Sequence, residues 1–201
     1  MMNYDLFARF GVLVVQDFFD SHLCAELRTQ ARQSTSMQAT VWGKGARTVQ
    51  TNARQTKRAS VSSELESVVE EKLLLLKPRV EKHFKLALSG CETPQFLIYG
   101  EGDFFQLHRD EDPRRDSHSR DQDRLVSVVI FLNSESKTPD PESYCGGALA
   151  LYGLMEDPNL QAIGFPLSGE TGLLVAFRSD VFHEVKAVTH GQRHTIVSWY
   201  F

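Results

Sequence analysis

Two histidines, one aspartate and one arginine are spaced so that they can do chemistry together. The first group lies in Tyr99-Gly-Glu-Gly-Asp-Phe-Phe-Gln-Leu-His108-Arg109-Asp110. Its partner is His183, in Phe177-Arg-Ser-Asp-Val-Phe-His183-Glu-Val, with Arg193 ten residues further on. In an extended strand, residues i and i+2 point to the same side. His108 and Asp110 are therefore expected to face inward from one strand, with Arg109 turned away. His183, from a distant strand, completes a face of two imidazoles and one carboxylate and leaves other coordination positions open. That ligand set suits a non-haem Fe(II) centre.

The elements that must carry these residues are mostly strands. Gln95 to Tyr99 is the first clear one, and Phe104 to Asp110 the next. Val126 to Leu132 is almost wholly apolar and β-branched, which predicts burial on both faces. Further strands are expected at 147–152, 172–177, 181–188 and 194–201. Short strands punctuated by turn residues indicate a sandwich or barrel. With a metal inside, a jelly-roll or cupin-like barrel, the double-stranded β-helix, is the natural candidate.

The first half reads as helical support. Gly11 to Val15 is a short apolar strand. Asp20 stands as an N-cap before Leu23, Cys24, Leu27 and Ala31 at helical spacing, to about Gln33. Ser63 and Glu66 form a Ser-x-x-Glu capping pattern. A long helix follows, with Leu65, Val68, Val69, Leu73, Leu76, Val80 and Phe84 on one face. Pro78 is expected to kink or break it. The expected fold class is mainly β with α support: a jelly-roll core with two or three N-terminal helices on its major sheet. One domain is expected over 1–201, with helical support and a flap in 1–90 and the metal-binding core in 91–201.

Composition narrows the function classes. The chain has 201 residues and 41% hydrophobic content, enough for a real core. A net charge of -4 gives no push toward nucleic acid or an anionic membrane. Cys24, Cys91 and Cys145 fit neither a zinc spacing nor a disulfide framework, so a reducing cytoplasm is the expected compartment. The opening Met-Met-Asn-Tyr-Asp carries no leader pattern. No stretch approaches the roughly 20 apolar residues that span a bilayer.

The ordered set of motifs resembles the 2-oxoglutarate- and Fe(II)-dependent dioxygenases of the prolyl-4-hydroxylase type, most strongly from Gln95 to Phe201. Tyr99 to Asp110 matches Tyr-Gly-x-Gly-x-x-aromatic-x-x-His-x-Asp, with Phe105 at the aromatic position. Gly146 to Leu149 matches the Gly-Gly-x-Leu strand. His183 and Arg193 match the later histidine and the basic residue ten on. Ile130-Phe-Leu-Asn133 and the terminal Trp199-Tyr-Phe are similar to the hypoxia-sensing branch.

The resemblance implies Fe(II) held by His108, Asp110 and His183, with 2-oxoglutarate and O2 as cosubstrates and ascorbate as a reductant. Arg193 is implied to bind the distal carboxylate of 2-oxoglutarate, since a guanidinium offers two parallel donors. Tyr99 is a second contact through its hydroxyl. Phe131 stands where the hypoxia-sensing enzymes carry tyrosine. Thr195 or Ser127 is then left to replace the missing hydroxyl. Val129, Leu149 and Val185 are expected to line the pocket. His190 and His194 are read as non-ligands and Trp199 as a core residue. The implied reaction decarboxylates 2-oxoglutarate to succinate and hydroxylates an unactivated C–H bond.

The implied substrate is a prolyl residue in a protein or peptide. Hydroxylation of a free amino acid or small metabolite is the alternative, and a non-catalytic metal-binding or sensing module is a further one. Two loops read as solvated connections or substrate flaps: 111–124, which contains His118, and the basic stretch Trp42 to Arg58, with Arg47, Arg54, Lys57 and Arg58. Trp199 stands where alkylation-repair relatives carry a second arginine, which with the acidic net charge disfavours nucleic acid.

Overall fold

The computed structural model describes residues 4–39, 41–43, 46–48, 53–111, 124–157 and 159–201. Two antiparallel sheets pack face to face. The larger runs Leu13–Val15, Leu174–Arg178, Val126–Phe131, Arg193–Tyr200, Gln95–Tyr99, Lys57–Ala59 and Met37–Gln38 in spatial order. The smaller runs Phe165–Leu167, Leu149–Leu151, His183–Val185, Phe104–His108 and Arg54–Gln55. A ribbon of Tyr144–Gly146 and Val188–Gly191 lies beside them.

Period-two alternation divides the large sheet into two faces. Val126, Val128, Ile130, Ile196, Tyr200, Phe96 and Ile98 join the core under the helices. The residues between them, including Val129, Phe131, Val175 and Phe177, pack instead with Leu149, Leu151 and Leu167 of the small sheet. The strand Val126–Phe131 is buried throughout, as its β-branched run predicts. The antiparallel jelly-roll with helical support is thus the observed fold class.

Helices Ser21–Gln33 and Ser63–Phe84 cover the outer face of the large sheet. Asp20 caps the first, its carboxylate accepting from the Leu23 amide at 2.8 Å. The long helix presents Leu65, Val69, Leu73, Leu76 and Val80 to the core. A short helix, Tyr4–Arg9, precedes them. Among the described residues no helix is long and apolar enough to cross a membrane.

The structure corrects several local expectations. The cap of the long helix is Ser62, whose hydroxyl accepts from Leu65, one residue before the expected Ser63. Pro78 does not break this helix, which is continuous from Ser63 to Phe84. The carbonyl that Pro78 leaves unserved belongs to Leu74, a half-exposed residue, and water can satisfy a backbone group there. Residues 34–60 read in the sequence as a strand or two with loops and 11–15 as a strand, and in the structure four strands preceding residue 91 join the two large sheets.

Within the basic stretch, Arg54–Gln55 is an edge strand of the small sheet and Lys57–Ala59 a strand of the large one. Thr56 between them is buried and donates to the Ile98 carbonyl at 2.9 Å. This half of the expected flap is tied into both sheets. Residues 44–45 and 49–52 of the stretch, and 112–123 of the loop containing His118, lie outside the described residues.

Candidate metal and cosubstrate site

His108, Asp110 and His183 converge. Their nearest ligating atoms all lie within 4.8 Å of one another. His108 Nε2 is 3.8 Å from Asp110 Oδ1, and His183 Nε2 is 3.6 Å from Asp110 Oδ2. Strand register brings the two histidines together, because His183 sits directly opposite His108 in the small sheet.

Asp110 reaches the cluster by a different route from the one expected. Its strand ends at His108, and Asp110 lies in the bend that follows. The bend is pinned because the Asp110 and Glu111 amides both donate to the Ser179 carbonyl at 3.0 Å. A register shift between His183 and Val185 places a bulge in the facing strand, so that Phe105 and His108 share one side. Their rings stack at 3.6 Å between centroids, and Phe177 meets His183 edge-on at 4.8 Å.

The tautomers follow from the backbone. Nδ1 of His108 is 2.7 Å from the Gln106 carbonyl, and Nδ1 of His183 is 3.0 Å from the Val181 carbonyl. A carbonyl only accepts, so each Nδ1 carries the hydrogen and each Nε2 keeps its lone pair toward Asp110. Burial, and then the facing His183, push His108 below the usual imidazole range, which keeps it neutral. Burial acts to raise Asp110. His183 and His108 outweigh it, with the Ser127 hydroxyl and the Trp199 indole adding to the pull, and the carboxyl stays ionised. Two imidazole nitrogens and one anionic oxygen form a donor set that a divalent cation takes.

The inner face of the large sheet supplies the second half of the site. Register sets Arg193 opposite Tyr99, Thr195 opposite Leu97 and Phe131, Val197 opposite Val129, and Trp199 opposite Ser127. Arg193 is almost wholly buried, with its guanidinium carbon 5.0 Å from the ring centres of both Tyr99 and Phe131. Its Nη1 donates to Thr195 Oγ1 at 3.2 Å, and its Nε has no partner among the described residues. Among the described residues no carboxylate forms an ion pair with it. A buried guanidinium of this kind fits an incoming carboxylate, since leaving it unpaired is costly.

The expected residues divide as follows. Thr195 lies against Arg193, whereas the Ser127 hydroxyl donates to Asp110 Oδ2 at 2.7 Å and is committed there. Tyr99 is buried with Leu97, Val185 and Val188. Val129 and Leu149 lie in the inter-sheet core, with Leu149 opposite Val185. His190 is exposed beside Glu101, and His194 lies on the helix side of its strand, near Arg32 and Arg28. Trp199 is buried as expected, but next to the metal-site carboxylate rather than in the core under the helices.

Sequence reasoning missed Ser179 and Tyr144. The Ser179 hydroxyl is 3.0 Å from that of Ser127. Tyr144 is fully buried, and among the described residues its hydroxyl makes no well-formed hydrogen bond. Burial pushes its phenol up to about 12, with the nearby Arg193 charge pulling the other way. Its place two residues ahead of Gly146-Gly147 was the available signal.

Residues 94–201 match the family described as "2OG-Fe(II) oxygenase superfamily". A "PKHD-type hydroxylase" of Hyphomonas neptunium is 28% identical over 193 residues, covering 94% of this chain and 77% of the relative. Among solved structures, a Pseudomonas putida prolyl-4-hydroxylase superposes with a TM-score of 0.69 at 22% identity, covering 98% of this chain and 95% of that one. A Trichoplax adhaerens prolyl hydroxylase, in complex with a hypoxia inducible factor oxygen degradation domain peptide fragment, superposes with a TM-score of 0.68 at 19% identity. That likeness covers 100% of this chain and 94% of the other.

Proposed function

The chain belongs to the 2OG-Fe(II) oxygenase superfamily, and from that premise we propose that it hydroxylates an unactivated C–H bond of a prolyl residue in a protein or peptide. His108, Asp110 and His183 hold Fe(II) in this reading, and Arg193 receives the distal carboxylate of 2-oxoglutarate. The observation that carries it is the convergence of three ligating atoms within 4.8 Å, on the same inner space as a buried guanidinium lacking a carboxylate.

Bound Fe(II) would supply the O2 chemistry that couples decarboxylation of 2-oxoglutarate to oxidation of a substrate C–H. The protein's own residues perform the rest. The Gln106 and Val181 carbonyls fix the two imidazoles with Nε2 available, and Ser127 orients Asp110. Arg193 and Thr195 set the cosubstrate's far end. Val129, Phe131 and Leu149 exclude water beside it. Tyr99 contributes its ring face under the guanidinium.

The prolyl assignment draws on the fold shared with two prolyl hydroxylases, one of them bound to a peptide. Its test measures 2-oxoglutarate-dependent succinate release with a panel of proline-containing peptides, free amino acids and small metabolites, and locates the added oxygen by mass spectrometry. Oxygen on a peptidyl proline supports the proposal. Turnover with free small molecules alone replaces it with a metabolite hydroxylase. An anaerobic visible band on adding Fe(II) and 2-oxoglutarate, absent in His183→Ala, checks the site itself.

A further inference from the structure

We propose that the Tyr144 hydroxyl is the second donor to the distal carboxylate of 2-oxoglutarate, taking the place of the hydroxyl that Phe131 lacks. The inference rests on the cosubstrate reading of Arg193 and assigns that pocket's remaining contact.

Four observations carry it. Tyr144 is fully buried, and among the described residues its hydroxyl makes no well-formed hydrogen bond, with Arg193 and the Gly169 backbone its polar neighbours. Its ring lies with the Arg193 stem around Gly147, where an added Cβ would come within 3.3 Å of Tyr144 Cε2 and 3.1 Å of Arg193 Cδ. Its hydroxyl and the Phe131 ring stand together at Gly169, where a Cβ would collide with both. Arg193 in turn lies over the Phe131 ring at 5.0 Å. The Tyr144 hydroxyl is therefore beside the Phe131 ring and within the field of the guanidinium.

The choice of tyrosine needs an explanation. A phenylalanine would fill this space without burying an unpaired hydroxyl, whose desolvation costs about 1–3 kcal/mol. Of the neighbouring hydroxyls, that of Ser127 already donates to Asp110, and that of Thr195 accepts from Arg193. A phenol O–H beside a guanidinium is a donor matched to an anion that approaches Arg193. Its neutral state suits that task, since a phenolate would repel the carboxylate.

The test is a cycle of one residue against one ligand group. Anaerobic Fe(II)-loaded protein is titrated with 2-oxoglutarate and with 2-oxopentanoate, which has the same chain without the distal carboxylate. The chelate band reports affinity independently of turnover. Tyr144→Phe should weaken 2-oxoglutarate ~10–100-fold, as expected for a hydrogen bond to a charged group. It should change 2-oxopentanoate less than about threefold, and the metal-free variant should melt no lower than the parent, because an unpaired buried hydroxyl has been removed. Equal losses for both ligands, or an unchanged affinity for 2-oxoglutarate, overturn the inference. A variant melting below the parent also does so, since Tyr144 would then be bonded within the protein. If Arg193→Ala loses 2-oxoglutarate and Tyr144→Phe does not, this inference alone fails. A parent that forms no chelate with either ligand overturns the cosubstrate reading and this inference with it.

Discussion

The Ser127 hydroxyl donates to Asp110 Oδ2 at 2.7 Å, from the Val126–Phe131 strand of the large sheet to the bend that follows Phe104–His108 of the small one. This bond joins the two sheets at the metal-site carboxylate. It fixes which way the carboxylate turns, and it favours the ionised form. Partners of this kind commonly contribute 10–100-fold to metal affinity. Ser127→Ala should weaken binding of Fe(II), or of Co(II) as a spectroscopic stand-in, ~10–100-fold while leaving the fold's melting temperature near the parent's. An unchanged affinity in a metal titration would mean that the bend at Asp110 is held by the Ser179 carbonyl alone.

His194 links stability to pH. It is buried, and desolvation, with Arg32 nearby, lowers its pKa to about 4. An unfolded histidine titrates near 6.5. Between these values the unfolded chain binds a proton that the native chain does not, so stability falls as pH drops. At pH 5 this histidine alone should destabilise the fold by about 2 kcal/mol relative to pH 7. Urea unfolding of metal-free protein at both pH values, for the parent and His194→Gln, isolates its share. Equal pH differences in the two proteins would show that other groups carry the acid sensitivity.

The cluster of His108, Asp110 and His183 was legible in the sequence because its spacing is local for His108 and Asp110 and its flanking glycines are distinctive. The core strands were legible because runs such as Val126–Phe131 are apolar on both faces. What could not be read depends on register. Ser127 reaches Asp110 only through strand pairing that no local pattern encodes, and Tyr144 meets Phe131 and Arg193 only after a crossover between sheets. Arg54–Gln55 and Lys57–Ala59 are too short and polar to show a period, so the expected strand or two within 34–60 could not be placed. That the helix runs on through Pro78 was not legible, because propensity carries no information about which carbonyl faces water.

Arg193 should dominate the thermal response to cosubstrate. At a ligand concentration of 100 Kd, binding to the native state adds about 2.7 kcal/mol of stability. For a chain of this size that corresponds to a melting shift of roughly 5–10 °C. Metal-loaded, anaerobic parent protein should show such a shift with 2-oxoglutarate at that ratio. Arg193→Ala at the same concentration should show almost none. Differential scanning fluorimetry reads both. A full shift in the alanine variant would remove Arg193 from the cosubstrate site.

Thr195 tests whether Arg193 must be oriented as well as present. Its Oγ1 accepts from Nη1 at 3.2 Å, a well-formed hydrogen bond of this buried guanidinium among the described residues. Thr195→Val keeps the shape and removes the acceptor; Thr195→Ser keeps the acceptor and removes a methyl. If the bond aims the guanidinium, valine should weaken 2-oxoglutarate about 5–15-fold, matching the roughly 1–1.5 kcal/mol of an ordinary buried hydrogen bond. Serine should stay within about twofold, because the bonding group survives. The metal affinity should not change in either, since Thr195 pairs with Leu97 and Phe131, away from the ligand strands. Losses of similar size for valine and serine would assign Thr195 to packing. A loss for valine alone would show that the charge of Arg193 is insufficient without its direction, as the bidentate demands of a carboxylate require.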